Sequence, residues 1–236
     1  MSLKSVYLSE PSIQDNRILI AGDEHRHLVV ARAKPDELIE IFDGKGRVWT
    51  AAVESVNKRE TVARVTASRE AAPPRFELIL GVAMIRIAAF ELALEKVVEV
   101  GVTRIAPFTA ARSNVEAGHR HERRYDRWLR ILVEAAKQSK HYHLPQLDAP
   151  HSFAEVLSIP AASKIMFAER EGGSLKSALT GSPVLYLVGP EGGWTDEELS
   201  AARKNSFQLV SLGDAILKAE TAAIVGASLI RYESGE

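Results

Sequence analysis

Leu187-Val188-Gly189-Pro190-Glu191-Gly192-Gly193-Trp194 and, further on, Leu212-Gly213-Asp214-Ala215-Ile216-Leu217-Lys218-Ala219-Glu220-Thr221-Ala222 are the two stretches around which the chain is organised. Each follows a short apolar run rich in strand formers, Val184–Val188 and Gln208–Leu212, and each precedes a segment of helical pattern. A strand, a glycine loop and a helix in succession is how an α/β sheet builds a small-molecule site at the carboxyl ends of its strands. The first loop reads residue by residue. Pro190 fixes φ and removes a donor, so the chain turns there. Gly192 and Gly193 permit positive φ and let a ligand approach bare backbone. Thr195 with Glu198 three residues later is a capping box, which predicts a helix starting near Asp196 and reading DEELSAARKN. The alternative is a plain strand-to-helix turn, against which stands Glu191, a carboxylate that needs a partner or a ligand. No Gly-Lys-Ser/Thr follows the glycines and GxGxxG is absent, so neither phosphate-loop fingerprint is met.

LVGPEGGWTDEEL followed by SLGDAILKAETAA resembles the carboxyl-terminal signature of the RsmE family, SPOUT-class methyltransferases that act with S-adenosylmethionine on N3 of a uridine in small-subunit ribosomal RNA. The family pattern in the second loop is Leu-Gly-Pro-Arg-(Ile/Val)-Leu-Arg-(Thr)-Glu-Thr-Ala. Leu212, Gly213, Ile216, Leu217, Glu220, Thr221 and Ala222 keep it, whereas Asp214 replaces the proline, Ala215 the first arginine and Lys218 the second. The resemblance runs the whole length, but only the two loops are specific. It implies a small N-terminal PUA-like β-barrel followed by a SPOUT α/β domain with a C-terminal trefoil knot. It also implies S-adenosylmethionine bound between the loops, against Leu187, Val188, Gly189, Pro190, Glu191, Gly192 and Gly193 of the first and the seven retained residues of the second. Phe167, in the strand Lys164–Ala168, is expected to form a further wall, and the loop Glu169–Gly173 is either another wall or a plain surface loop.

Composition sets the frame. The chain has 236 residues, 46% hydrophobic and 26% charged, as soluble globular proteins do. No run approaches eighteen uninterrupted apolar residues, so no membrane span is expected, and the N-terminus carries no basic region followed by an apolar core. Cysteine is absent, which excludes disulfides and zinc–thiolate sites and fits a cytoplasmic protein. The net charge is −1, but it is unevenly spread: residues 73–150 hold 12 Lys and Arg against 9 Asp and Glu, while residues 151–236 hold 7 against 11. A local basic excess matters more for a nucleic-acid partner than the global sum.

In chain order, Ser5–Leu8, Arg17–Ile20, Leu38–Phe42, Val48–Val53 and Thr61–Ala67 read as short strands, with Asp43-Gly44 a turn and Asp23–Ala33 a short helix. About five strands predict a small barrel over residues 1–72. In the stretch His27–Lys34, which resembles a family motif, Arg32 and Lys34 face either RNA or solvent. Pro73-Pro74 marks the boundary, so that residues 73–236 form the second domain. There, Glu77–Val82 and Arg104–Pro107 are strands flanking a helix whose apolar face is Phe90, Leu94, Val97 and Val98, closed by Gly101. In the predicted helix Glu122–Ser139, Arg123, Arg127, Arg130 and Lys137 form a basic stripe, either a phosphate track or a solvated face with internal ion pairs. Arg123 and Arg127, with Arg112 upstream, are the candidates for RNA contact here. His119, His121, His141 and His143 lack carboxylates at ligand spacing, so no metal site is expected. A helix near Phe153–Leu157 follows. The terminal helix Glu220–Tyr232 is apolar on several sides, more than one packing face requires, and predicts a homodimer.

The chemistry asked of such a chain is placement of a uracil nitrogen in line with an activated methyl, plus a fixed donor for charge that develops on the carbonyls. Glu191, Lys218 and Arg86 are the catalytic candidates, Glu191 to fix the pocket or accept a proton and the two cations to steady charge. The departures from the family, Ala88, Ala89, Lys140, His141, Ala215 and Lys218, fall where the resemblance places RNA and the target base. Three other readings stay open: a SPOUT enzyme with another RNA target, a noncatalytic RNA-binding relative, and a nucleotide-dependent α/β enzyme of another class.

Overall fold

A computed structural model of the chain describes residues 3–113, 124–168 and 172–235. Its contacts divide it into two units. The first comprises Met1–Pro73 and Ala136–Leu144, the second Pro74–Ala135 and Pro145–Glu236.

The first unit is built on a six-stranded sheet of order β1-β4-β5-β6-β3-β2, made from β1 (Lys4–Tyr7), β2 (Ile13–Gln14), β3 (Arg17–Ala21), β4 (Leu38–Phe42), β5 (Arg47–Val56) and β6 (Glu60–Glu70). The pairings are antiparallel except β1 with β4. β3 alternates in the two-residue period of a half-buried strand, with Ile18 and Ile20 inside and Arg17, Leu19 and Ala21 outside. Ile18 and Ile20 join Val6, Ile39, Ile41, Trp49, Val53 and Leu28 in one apolar cluster. Leu28 comes from helix α1 (Gly22–Val30), which ends three residues before the pattern predicts. It stops because Arg32 takes a left-handed φ of +52° and the Ala33 N–H turns back to the Leu28 carbonyl.

Ala136–Leu144 is held to this unit by backbone bonds between Leu144 and Gly44 and between Gly46 and Tyr142, by the Tyr142 ring against Phe42 at 5.8 Å, and by charge. Lys137, nearly buried, pairs with Glu24 of α1 at 3.0 Å. The Lys140 ammonium donates to the Leu3 carbonyl, Ser5 Oγ and Glu40 Oε1 at 3.1, 2.6 and 2.9 Å. The Tyr142 hydroxyl donates to Glu40 Oε2 at 2.9 Å. Glu40 is itself buried in β4, so these donors are what permit a carboxylate there.

The second unit holds a parallel sheet of seven strands. Its path is β10-β8-β7-β12-β11-β13, with β9 also on β8. The strands are β7 (Leu78–Ala83), β8 (Arg104–Thr109), β9 (Gln146–Leu147), β10 (His151–Ser152), β11 (Ser163–Phe167), β12 (Val184–Val188) and β13 (Gln208–Val210). The central strands β7 and β12 are buried at every residue, as strands covered on both faces are. Helix α2 (Ile87–Val100) ends at Gly101, whose φ of +92° and bonds to Val97 and Val98 close it as the pattern predicts. Helix α3 is described from Tyr125 to Ser139, helix α4 is Phe153–Leu157 and helix α5 is Leu175–Ala178. Helix α6 (Asp196–Lys204) opens on the expected capping box: Thr195 accepts from the Glu198 N–H, and Glu198 accepts from that of Thr195. Helix α7 (Ala219–Glu233) buries Ala223, Gly226, Ala227 and Ile230 at helical spacing and packs on α2, β7 and β12.

The strands that feed the two glycine loops, β12 and β13, are not neighbours, because β11 pairs with both and lies between them.

Candidate cofactor site

In the parallel sheet β7, β12, β11 and β13 lie side by side in that order. Ligands of open parallel sheets bind outside the carboxyl ends of the strands. The segments leaving β7, β12, β11 and β13 all emerge at that end.

After β12 the chain runs through Gly189–Trp194. The Gly193 N–H bonds to the Pro190 carbonyl at 2.9 Å and Gly193 takes a φ of +68°, so the turn is tight and left-handed. Arg112, in the loop after β8, donates one guanidinium nitrogen to the carbonyls of Gly192 and Trp194 at 2.8 and 3.2 Å. A Cβ on Gly192 would stand 3.0 Å from the Arg112 side chain, so glycine is what lets the arginine lie along the loop. Glu198, nearly buried in the first turn of α6, accepts from the Ala111 N–H at 2.8 Å and so ties the same loop to the helix start. The Trp194 indole N–H donates to the Phe167 carbonyl at 2.8 Å. Its ring stacks on Phe108 at 6.1 Å between centroids and tilts against Phe153.

After β13, Ser211–Lys218 crosses to α7. Gly213 takes a φ of +115°, and nothing lies within 4 Å of where its Cβ would be; the same is true of Gly193. Two glycines thus present bare backbone to open space. Between the loops lies a cavity of about 640 Å³, within the range of small-molecule sites. It is lined from the first loop by Val188, Gly189, Pro190, Glu191, Gly192 and Gly193 and from the second by Leu212, Gly213, Ile216, Leu217 and Ala222, with Phe167 between. These are twelve of the expected contacts. Leu187, Glu220 and Thr221 are not among the lining residues. Leu187 points into the core, where its side chain fills the space a Cβ on Gly81 of β7 would need. Only the last residue of β12 reaches the cavity.

Further walls come from residues the motifs did not assign: Trp194, Ala168, Asp196, Leu199, Ser211 and Ala219, with Ala215 and Lys218 at the second loop. An aromatic residue closing a glycine loop was the visible sign of one of them. The loop Glu169–Gly173, expected as a wall or a plain surface loop, lies outside the described residues over 169–171. Its Gly173 pairs with Val210 of β13.

The three catalytic candidates differ in placement. Glu191 and Lys218 line the cavity. Arg86 does not, yet its Nε donates to Glu191 Oε1 at 3.2 Å and its backbone N–H to the same oxygen at 3.4 Å. Two residues 105 positions apart form one pair, from the segment after β7 to the loop after β12. Glu191 therefore already holds a cation.

Two described residues of the basic stripe on α3, Arg127 and Lys137, are ion-paired. Arg127 forms a two-bond pair with Glu91 of α2 at 2.6 and 2.7 Å, Arg130 donates to its own helix at the Asp126 carbonyl, and Lys137 is committed to Glu24. Lys140, expected near RNA, is likewise committed to Ser5 and Glu40. Arg123, His119 and His121 lie outside the described residues. Arg32 and Lys34 are exposed in the turn after α1, where the Lys34 N–H donates to Glu37. Among the described residues no group of three or more His, Asp or Glu could hold a metal ion, and no helix is long and apolar enough to cross a membrane.

Comparison with known proteins agrees with this geometry. A family model described as an RNA methyltransferase domain matches residues 72–231, and one described as an RNA methyltransferase PUA domain matches residues 20–66. The ribosomal RNA small subunit methyltransferase E of Synechocystis is 29% identical over 98% of this chain and 77% of its own. That of Mesomycoplasma hyopneumoniae is 27% identical over 89% and 92%. The crystal structure of the Neisseria gonorrhoeae protein of that name, bound to S-adenosyl methionine, is 28% identical, covers 98% of both chains and superposes with a TM-score of 0.90. A methyltransferase from Legionella pneumophila with bound SAM superposes equally well at 24% identity, which speaks to the fold. The chain belongs to the RNA methyltransferase family, in the RsmE branch that its two glycine loops resemble.

Proposed function

We propose that the chain is an S-adenosylmethionine-dependent methyltransferase of small-subunit ribosomal RNA, acting on N3 of a uridine. The observation that carries the proposal is the cavity between the two loops. Its volume suits a cofactor of that size, and Gly193 and Gly213 offer it open backbone at positive φ. S-adenosylmethionine supplies an electrophilic methyl on its sulfonium. The residues of the chain do the rest. Gly189–Gly193 and Leu212–Leu217 hold the ligand from two sides. Arg112 fixes the first loop through two carbonyls. Glu191 steadies Arg86, which with Lys218 is the source of positive charge for a uracil carbonyl as the N3 proton passes to solvent water. Lysine offers a point charge rather than a planar fork, so this is a weaker substitute for the arginine that the family places at Ala215.

To the same proposal belong residues 1–72 as the unit that contacts RNA, with Arg32 and Lys34 exposed on it, and residues 73–236 as the methyltransferase domain with its trefoil knot. So do cytoplasmic location and a homodimer through α7. Leu229 and Tyr232 of that helix are exposed, which supports the last point, and light scattering at micromolar concentration should give twice the chain mass. Calorimetry tests the cofactor: S-adenosylhomocysteine should bind, NAD and ATP should not, and the reverse would overturn the proposal. A second reading, an RNA-binding relative that has lost methyl transfer, is favoured by one observation, Ala215 lining the cavity without a guanidinium.

A further inference from the structure

We propose that Trp194 is a positioning residue for the cofactor: its indole sets the separation of the two loops, so that ligand binding depends on the ring N–H more steeply than folding does. The inference rests on reading the cavity as an S-adenosylmethionine site, and it gives a role to a side chain that neither loop motif explains.

The two loops leave strands that do not touch. β11 stands between them, and its last residue is Phe167. Trp194 is the side chain that joins the first loop to that residue, through the 2.8 Å bond from its Nε1–H to the Phe167 carbonyl. The same ring passes beneath its own loop. A Cβ on Gly189 would lie 2.8 Å from Trp194 Cε2, so Gly189 is glycine here for close approach and not for an unusual φ. The stack on Phe108, with planes within 1°, fixes the plane of the indole and hence the direction of its N–H.

The path then continues to the second loop. The Phe167 ring abuts Gly226 of α7, where a Cβ would meet it at 2.3 Å. It also meets the Tyr186 ring edge-on at 5.8 Å. The Tyr186 hydroxyl donates to the Ala223 carbonyl of α7 at 3.0 Å. Gly189, Trp194, Phe167 and Gly226 therefore form a chain of contacts, two of which leave no room for a methyl group. It runs from the loop after β12 to the helix that begins where the loop after β13 ends. Lengthening the Trp194–Phe167 step widens the cavity at its floor, while the stacked ring keeps the core beneath it filled.

Trp194→Phe keeps an aromatic ring over Phe108 while removing both the donor to Phe167 and the indole edge that lies against Gly189. Calorimetry with S-adenosylhomocysteine should give a Kd about tenfold higher than the parent's, because the two loops no longer rest at the separation that the ligand spans. The ligand-free melting temperature should fall by less than about 5 °C. In steady state, KM for S-adenosylmethionine should rise with kcat nearly unchanged. In the unmutated protein, the Trp194 indole N–H, assigned by NMR through its own backbone resonances, should exchange slowly with water and shift on adding S-adenosylhomocysteine. That measurement stands even if the variant does not fold. A variant that binds within about threefold of the parent overturns the inference, as does a melting temperature that falls by more than about 5 °C together with binding, or an indole signal indifferent to the ligand. A parent protein that fails to bind S-adenosylhomocysteine overturns the cofactor reading itself and the inference with it.

Discussion

Glu198 is the residue whose removal should reach furthest from a single carboxylate. Its two oxygens serve two segments: Oε2 accepts from the Thr195 N–H at 2.9 Å and Oε1 from the Ala111 N–H at 2.8 Å. Glu198→Ala leaves both donors without an acceptor and dissolves the capping box of α6. Thr195 is half-buried and Ala111 exposed, so water recovers part of each loss. About 1–1.5 kcal/mol per bond remains, or roughly 2–3 kcal/mol together. For a chain of this size that is roughly 6–9 °C in melting temperature. Glu198→Gln keeps one acceptor oxygen and should lose about half as much. Ala111 precedes Arg112, which holds Gly192 and Trp194, so Glu198→Ala should also weaken S-adenosylhomocysteine binding. Scanning calorimetry with and without ligand reads both effects. A Glu198→Ala melting temperature within about 2 °C of the parent's, or equal damage from Ala and Gln, would refute the reasoning.

Three further outcomes follow from other parts of the molecule. Lys137→Ala strands the Glu24 carboxylate in a nearly buried position and should cost about 3 kcal/mol, whereas Lys137→Met with Glu24→Leu should recover most of it; equal melting temperatures for the two variants would contradict the pairing. Burial pushes the Asp148 carboxyl up, but hydrogen bonds from Arg104, His151 and Gln146 outweigh it and leave the group below its ordinary value. Its stabilisation is therefore present above the unfolded value of about 3.9 and is lost as pH falls through the lower folded value. Thermal scans should steepen below about pH 4, and Asp148→Asn should flatten that slope while lowering the melting temperature at pH 7. Ala215 is exposed at the cavity, so there is room for a longer side chain. Ala215→Arg should raise the single-turnover methylation rate by about tenfold or more if a missing guanidinium limits the parent, and an unchanged rate would remove that explanation.

What could be read in the sequence was local. Leu38–Phe42, Phe153–Leu157 and Val184–Val188 form over the residues their patterns predict, because period and caps act within a few positions. The Thr195–Glu198 box and the Gly101 terminus are of the same kind. What could not be read was pairing across long separations. Nothing in Gln208–Val210 announces that β11, not β12, is its neighbour. Lys137 and Lys140 look like helix-surface charges until Glu24 and Glu40, 113 and 100 positions away, are brought to them. Arg86 and Glu191 were each legible as candidates, but not as one ion pair. Twelve of the expected cofactor contacts line the cavity because a glycine loop carries its own conformational instruction. Leu187 does not, because one residue along a strand reverses the face that a side chain occupies.

The central claim is that this chain transfers a methyl group to N3 of a uridine in small-subunit ribosomal RNA. The direct measurement is methylation of that RNA, taken from a strain lacking its own activity, with purified protein and isotopically labelled S-adenosylmethionine, followed by digestion to nucleosides and mass analysis. The account predicts label in 3-methyluridine alone. Label on a ribose or on another base, or no incorporation by a protein that binds S-adenosylhomocysteine, would contradict it.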